Sequence, residues 1–152
     1  MEIKLATLND VTQIEDLYEQ LLSDMSKLQP QFLQPVRQDV EFIKQSILNE
    51  TSDILVALSN NEIVGFLLIT EQSTPPYPCF IQHKYAYIID FVVKPQHQGK
   101  GIGSALMNEA KSWIKKRQLD YLELSVLAEN SGAINLYEKH GFKPRMHTMR
   151  WE

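Results

Sequence analysis

Two short stretches carry residue types that can do chemistry. The first is Gln98-Gly99-Lys100-Gly101-Ile102-Gly103. Three glycines within five residues cost backbone entropy, so they need a reason. Without side chains, backbone N–H groups can turn inward and approach a ligand closely. A helix starting here adds unpaired N–H groups and the positive end of its dipole. Such a cradle suits an anion, most often a phosphate. The spacing of a P-loop is absent, because Lys100 precedes the last two glycines. A dinucleotide fingerprint fails too, since its third glycine position, counted from Gly99, holds Ser104. Taken alone, the stretch reads equally well as a flexible turn. The second stretch runs from Asn130 to Phe142 and contains Ala133, Tyr137 and Gly141. Ala133 and Tyr137 lie four apart, on one helix face. Tyr137 is either a core aromatic or a proton donor.

The elements that must position these residues follow from periodicity. Ile3 to Ala6 alternates like a short strand. Asp10 followed by Gln13 is a helix-start signal, with Asp10 accepting from a first-turn N–H. Val11, Ile14, Leu17, Tyr18, Leu21, Leu22 and Met25 recur at helical spacing to about Ser26. Val36, Val40, Ile43 and Ile47 mark a second helix ending near Asn49. Ile54–Leu58 and Ile63–Ile69 are strands, and Asn60-Asn61 between them predicts a tight hairpin. Both strands are apolar on both faces, so helices must cover both sides of the sheet. Pro75, Pro76 and Pro78 break the segment Gln72 to Lys84. Tyr85–Val93 is a strand, Ser104–Arg117 a helix, Tyr121–Val126 a strand and Ser131–His140 a helix stopped by Gly141. Pro144 to Trp151 reads as the last strand. The expected fold class is α/β: one domain over residues 1–152, with a mixed, mostly antiparallel sheet covered by helices on both faces.

Together, the glycine loop and the later cluster resemble the GNAT superfamily of N-acetyltransferases. Gln98, Gly101 and Gly103 match that family's coenzyme A pyrophosphate loop, [RQ]-x-x-G-x-[GA]. Asn130, Ala133, Tyr137, Gly141 and Phe142 match its N-x-x-A-x-x-x-Y-x-x-x-G-F pattern. Phe91-Val92-Val93-Lys94-Pro95 stands where the family has an apolar strand ending x-P. The element order agrees over nearly the whole chain.

The resemblance implies transfer of an acetyl group from acetyl-CoA directly to an amine. Gln98, Gly99, Lys100, Gly101, Ile102 and Gly103 would hold the pyrophosphate through backbone N–H groups. Phe91, Val92 and Val93 would pair with the cofactor arm like an added strand, and one N–H there would polarise the thioester carbonyl. Asn130 and Ala133 would stand beside the arm. Tyr137 would protonate the departing thiolate, whose thiol pKa is about 8.5. An alkyl amine with a pKa of about 10.4 must first lose a proton. Asp90 is the candidate base. The family's usual acidic pair is here Ile89-Asp90, so the first acid is missing and Asp90 reads equally as a structural acceptor. Glu71 is the weaker alternative.

Composition bounds the remaining readings. Of 152 residues, 43% are hydrophobic and 22% charged, which fits a globular chain of one domain. The net charge of −4 argues against a nucleic-acid partner. It weakly favours a cationic acceptor, such as a polyamine-like or amino-sugar compound. No apolar run approaches the ~20 residues of a membrane helix, and no signal peptide stands at the start. A soluble cytoplasmic protein is the expectation. Cys79 is the single cysteine, so no internal disulfide forms, and no neighbour activates it. His83, His97, His140 and His147 are scattered, so no metal is expected. Lys115, Lys116 and Arg117 are expected to face a helix dipole and water. Ser23–Arg37 and Gln72–Lys84 are the candidate acceptor-reading segments. Tyr77 and Phe80 in the latter suit an acceptor pocket, a homodimer interface or anchors for the loop. Three functions stay open: small-molecule N-acetyltransferase, protein N-terminal or lysine acetyltransferase, and non-catalytic acyl-CoA-binding module.

Overall fold

The structure, a computed structural model, describes residues 1–152. Its strands are β1 (Glu2–Leu5), β2 (Ser52–Ser59), β3 (Glu62–Ser73), β4 (Lys84–Val93) and β5 (Leu122–Leu124). They form one sheet in the order β1-β2-β3-β4-β5. The first three pairings are antiparallel and β4–β5 is parallel. The helices are α1 (Val11–Leu28), α2 (Val40–Leu48), α3 (Ile102–Lys116) and α4 (Ser131–Lys139).

The doubly apolar strands do what their pattern predicts. Ile54, Val56, Ile63, Phe66 and Leu68 pack with Ile14, Leu17 and Tyr18 of α1 and Ile43 of α2. Leu55, Ala57, Val64, Leu67 and Ile69 pack with Leu106, Met107 and Ala110 of α3 on the other face. The sheet is thus covered on both sides. Asn60 and Asn61 both adopt positive φ, 51° and 63°, in the β2–β3 turn. That is the backbone a two-residue hairpin with right-handed strand twist requires.

Several boundaries move. The expected Asp10 helix cap is absent: Asp10 Oδ2 instead accepts from the Thr7 N–H at 2.8 Å and from Lys4 Nζ at 3.2 Å. It closes a short 3-10 turn ahead of α1. The second helix begins at Val40 rather than Val36, because Asp39 Oδ1 accepts from Glu41 N and caps it there. Val36 is left half-exposed. The third helix begins two residues early, at Ile102, whose side chain is buried. The fifth strand is shorter than Tyr121–Val126. The expected last strand does not form, as residues 143–152 are exposed and make no backbone hydrogen bond. Arg117 is only partly exposed. It sits 4.0 Å over the Trp113 ring and bonds Glu50 O, Asp53 and Glu71.

Candidate active site

A register fault in β4 creates the site. Leu68 pairs with Asp90 but the next residue, Ile69, pairs with Ile88, so Ile89 is an extra residue in the strand. A bulge shifts the side-chain alternation by one. Ala86 and Ile88 point to the α3 face before it, and Val93 does after it. Asp90 and Val92 consequently point to the α1 face. Without the bulge Asp90 would share the face of Ile88. With it, Asp90 Oδ2 accepts a 2.6 Å hydrogen bond from the Tyr18 hydroxyl of α1.

Beyond the bulge the sheet opens. The parallel pairing of β4 with β5 spans only Ala86–Ile88 against Leu122–Leu124. From Ile89 onward β4 has no neighbour on that side, so half of its backbone hydrogen-bonding groups face a cleft. Asp90, Phe91, Leu124, Asn130 and Tyr137 line it, and Leu21 and Met25 of α1 close one wall.

Each side chain here has an identifiable task. Val92 and Val93 are buried in opposite core layers, so at these two positions β4 can meet a ligand only through its backbone. Phe91 lies between Tyr137, at a ring separation of 6.3 Å, and Gly103. Asn130 caps α4, its Oδ1 accepting from Ala133 N at 3.2 Å, which leaves its amide N–H groups for the cleft. The Ala133 N–H is thereby already used. Tyr137 is buried, and burial pushes its phenol up to about 12, so it holds its proton at neutral pH. Burial likewise raises the Asp90 carboxyl, against an opposing pull from the Tyr18 hydrogen bond. Tyr18 itself is held protonated by burial and by the Asp90 charge. Glu71, the weaker base candidate, is engaged by Arg117 at 3.2 Å and is not among the residues lining the cleft.

The glycine loop stands at the end of β4. Gly99 and Gly101 have φ of 75° and 84°, and a Cβ at either would meet nothing within 4 Å. Their role is conformational, and the space around them is open. Gly103 differs, because a Cβ there would lie 3.2 Å from Leu136 and 3.3 Å from Phe91. It lets α3, α4 and β4 pack closely. The first bond of the α3 ladder runs from Ala105 N to Gly101 O, so the N–H groups of Ile102, Gly103 and Ser104 precede it. The Gln98 amide does not reach outward but donates to Val93 O at 3.0 Å, tying the loop to β4. Lys100 is exposed at the rim. These residues fit a pyrophosphate: free N–H donors, open space and a helix dipole of the right sign.

His140 locks α4 onto the start of α3. Its Nε2 lies 3.0 Å from Ser104 Oγ, and Lys111 Nζ donates to its carbonyl at 2.9 Å. Burial and Lys111 hold its pKa low, so the ring is neutral. Lys111 Nζ also lies 3.4 Å from Nδ1.

Tyr18 is the residue that sequence reasoning placed only as core. A signal existed, since a buried tyrosine needs a partner for its hydroxyl. Nothing in the spacing names a partner 72 residues away.

The fold is thus an α/β sheet parted beside a glycine-lined helix start. The model of the Acetyltransferase (GNAT) family matches residues 14–142, and the chain belongs to that family. The uncharacterized N-acetyltransferase YhfO of Bacillus subtilis (strain 168) is 33% identical over 105 residues, covering 67% of this chain and 66% of that protein. A streptothricin acetyltransferase of Escherichia coli is 31% identical over 130 residues, covering 85% of this chain and 68% of that one. Across the first such relatives, the chain spans 31% to 68% of their lengths. The crystal structure of a mutant of the BH1408 protein from Bacillus halodurans is similar at a TM-score of 0.95. It is 26% identical and covers 100% of this chain and 99% of that one. No helix is long and apolar enough to cross a membrane.

Proposed function

We propose that the chain moves an acetyl group from acetyl-CoA to a primary amine of a small molecule. The observation that carries this reading is the joint presence of Asp90 and Tyr137 in the cleft that opens where β4 leaves β5. The bound cofactor supplies an acetyl thioester as electrophile. Residues 99–104 are suited to hold its pyrophosphate by backbone N–H groups, and the free edge of β4 to hold its arm. A β4 N–H directed at the thioester oxygen stabilises the charge that develops there. Asp90 receives the amine proton, directly or through water, and burial raises its basicity for that task. Tyr137 keeps its proton at neutral pH and can pass it to the leaving sulfur.

The small-molecule reading draws support from the relatives. One is named a streptothricin acetyltransferase and another an L-amino acid N-acetyltransferase. The test measures binding of acetyl-CoA, ATP and NAD to the purified chain, then thiol release with a panel of amines, polyamines, amino sugars and peptides. Acetyl-CoA binding with amine-dependent thiol release is expected. Binding of ATP or NAD in preference to acetyl-CoA would overturn it.

Tyr137→Phe probes the acid. Turnover is expected to fall about a hundredfold or more where chemistry limits the rate, with acetyl-CoA affinity little changed. Undiminished turnover under those conditions removes Tyr137 from the mechanism.

A further inference from the structure

Tyr18 is fully buried, and a buried hydroxyl costs free energy unless it is bonded. Its partner is Asp90, whose Oδ2 accepts at 2.6 Å. A hydroxyl donating to an ionised carboxylate typically stands at about 2.5–2.7 Å. The phenol ring is held on two sides. Phe66 of β3 lies 4.8 Å from it, and Phe42 of α2 packs edge-on at 6.4 Å. The hydroxyl is thus fixed by β3 and α2, and the carboxylate is tied to it.

The two oxygens of Asp90 therefore have different surroundings. Oδ2 is engaged by Tyr18, while no group of the chain donates to Oδ1. The Gln20 amide nitrogen is the one buried side-chain polar atom without a partner, so Oδ1 is open to the cleft rather than sealed in the core. Anchoring one oxygen fixes the rotation of the carboxylate, and with it the direction of the other oxygen's lone pairs. The helix that carries Tyr18 also carries Leu21 and Met25, which line the same cleft. One helix face thus holds the carboxylate and walls the space it opens onto.

We propose that Tyr18 is a positioning residue for the acetyl transfer: its hydrogen bond to Oδ2 turns Oδ1 of Asp90 toward the incoming amine. This rests on Asp90 as the base. The proton passes from the ammonium nitrogen to Oδ1, directly or through water. Tyr18 keeps its own proton, because burial and the Asp90 charge hold it. Its bond favours the ionised carboxylate and so opposes the burial that raises the Asp90 carboxyl. Asp90 is the only formally charged group lining the cleft, Tyr137 of α4 is the other titratable one, and the β3 partner of Asp90 is Leu68.

Tyr18→Phe keeps the ring and deletes the donor. The measurement is kcat across pH for the fastest amine of the panel, with the KM for acetyl-CoA. On the plateau above the acidic limb, turnover is expected to fall about tenfold or more, with that KM unchanged. The limb is expected to move up by about one pH unit. A fluorotyrosine incorporated at position 18 keeps the hydroxyl and donates more strongly, so it should move the limb down. Asp90→Asn identifies the limb by abolishing it. A limb that Asp90→Asn abolishes and both Tyr18 replacements leave in place overturns this inference and spares Asp90. So does a plateau turnover that Tyr18→Phe leaves unchanged, since the bond is then only structural. Undiminished turnover in Asp90→Asn, or no thiol release with any amine, removes the base itself and this inference with it. Should Tyr18→Phe misfold by far-UV dichroism, the fluorotyrosine protein decides: an unmoved limb overturns the inference.

Discussion

Asp90 and Tyr137 share a cleft but have opposite protonation tasks, and burial serves both. It keeps the Tyr137 phenol protonated and it makes the Asp90 carboxylate a stronger base. For Asp90 this has a cost in stability that runs against its use. Its folded pKa lies above the unfolded one, so the folded state binds the proton more tightly. Below the unfolded pKa the carboxyl is neutral in both states and no penalty arises. Stability is then lost as pH rises from the unfolded pKa through the folded one, where the folded chain acquires a buried charge. Asp90→Asn removes that charge, and its Oδ1 can still accept from Tyr18. The variant is expected to lose turnover by about 100-fold or more, yet to melt no lower than the natural chain at pH 7. Its advantage in melting temperature should widen between acid and neutral pH, which thermal melts across pH measure. A fall in melting temperature that is uniform with pH would mean Asp90 is a structural acceptor. The Asp90 side chain is readable in the sequence as a candidate; its Tyr18 partner is not, because the bulge that joins them leaves no compositional mark.

At the scale of elements, the glycine loop shows two physical roles behind one motif. Gly99 and Gly101 are needed for their positive φ, whereas Gly103 is needed for close packing. Gly101→Ala forces an L side chain into the left-handed region at about 1–2 kcal/mol. Because this residue precedes α3, the loss should appear in the cradle. The KM for acetyl-CoA is expected to rise about tenfold with little change in kcat. Steady-state kinetics check this, and an unchanged KM would remove the loop from cofactor binding. Gly65 is a different constraint, one set by the sheet. A Cβ there would lie 2.9 Å from Val92 O, a backbone atom that cannot swing aside. Gly65→Ala is expected to destabilise the chain by about 1–3 kcal/mol, the range for overpacking, read from denaturant unfolding. Glycine spacing alone left the loop open between an anion cradle and a flexible turn, and the Asn130–Phe142 pattern decided between them. The separate reason for each glycine required knowing what stands beside it.

At the scale of the molecule, one sheet with two cores holds the cleft open at its β4–β5 end. A ligand seated there touches α1, β4, β5 and α4 at once, so it should bind the folded state only. Acetyl-CoA at about a hundred times its dissociation constant is expected to stabilise the fold by about 2.7 kcal/mol. Thermal melts in the presence of acetyl-CoA, ATP and NAD measure the shift. Equal shifts from all three would contradict a selective cofactor cleft.

The sequence by itself determined the element order as far as α4, the covering of both sheet faces and the two motif stretches. Those are properties of local periodicity and turn chemistry, which neighbouring residues decide. Doubly apolar β2 and β3 could not have stood on a solvent-facing sheet, and Asn60-Asn61 could close a tight turn unaided. The tertiary structure alone decided which groups meet. The Ile89 bulge turned Asp90 toward Tyr18, and Arg117 drew Glu71 into an ion-pair cluster. It also left Pro144–Trp151 without a strand partner in its own chain. Each of these depends on residues tens of positions apart, where sequence periodicity carries no information about contact.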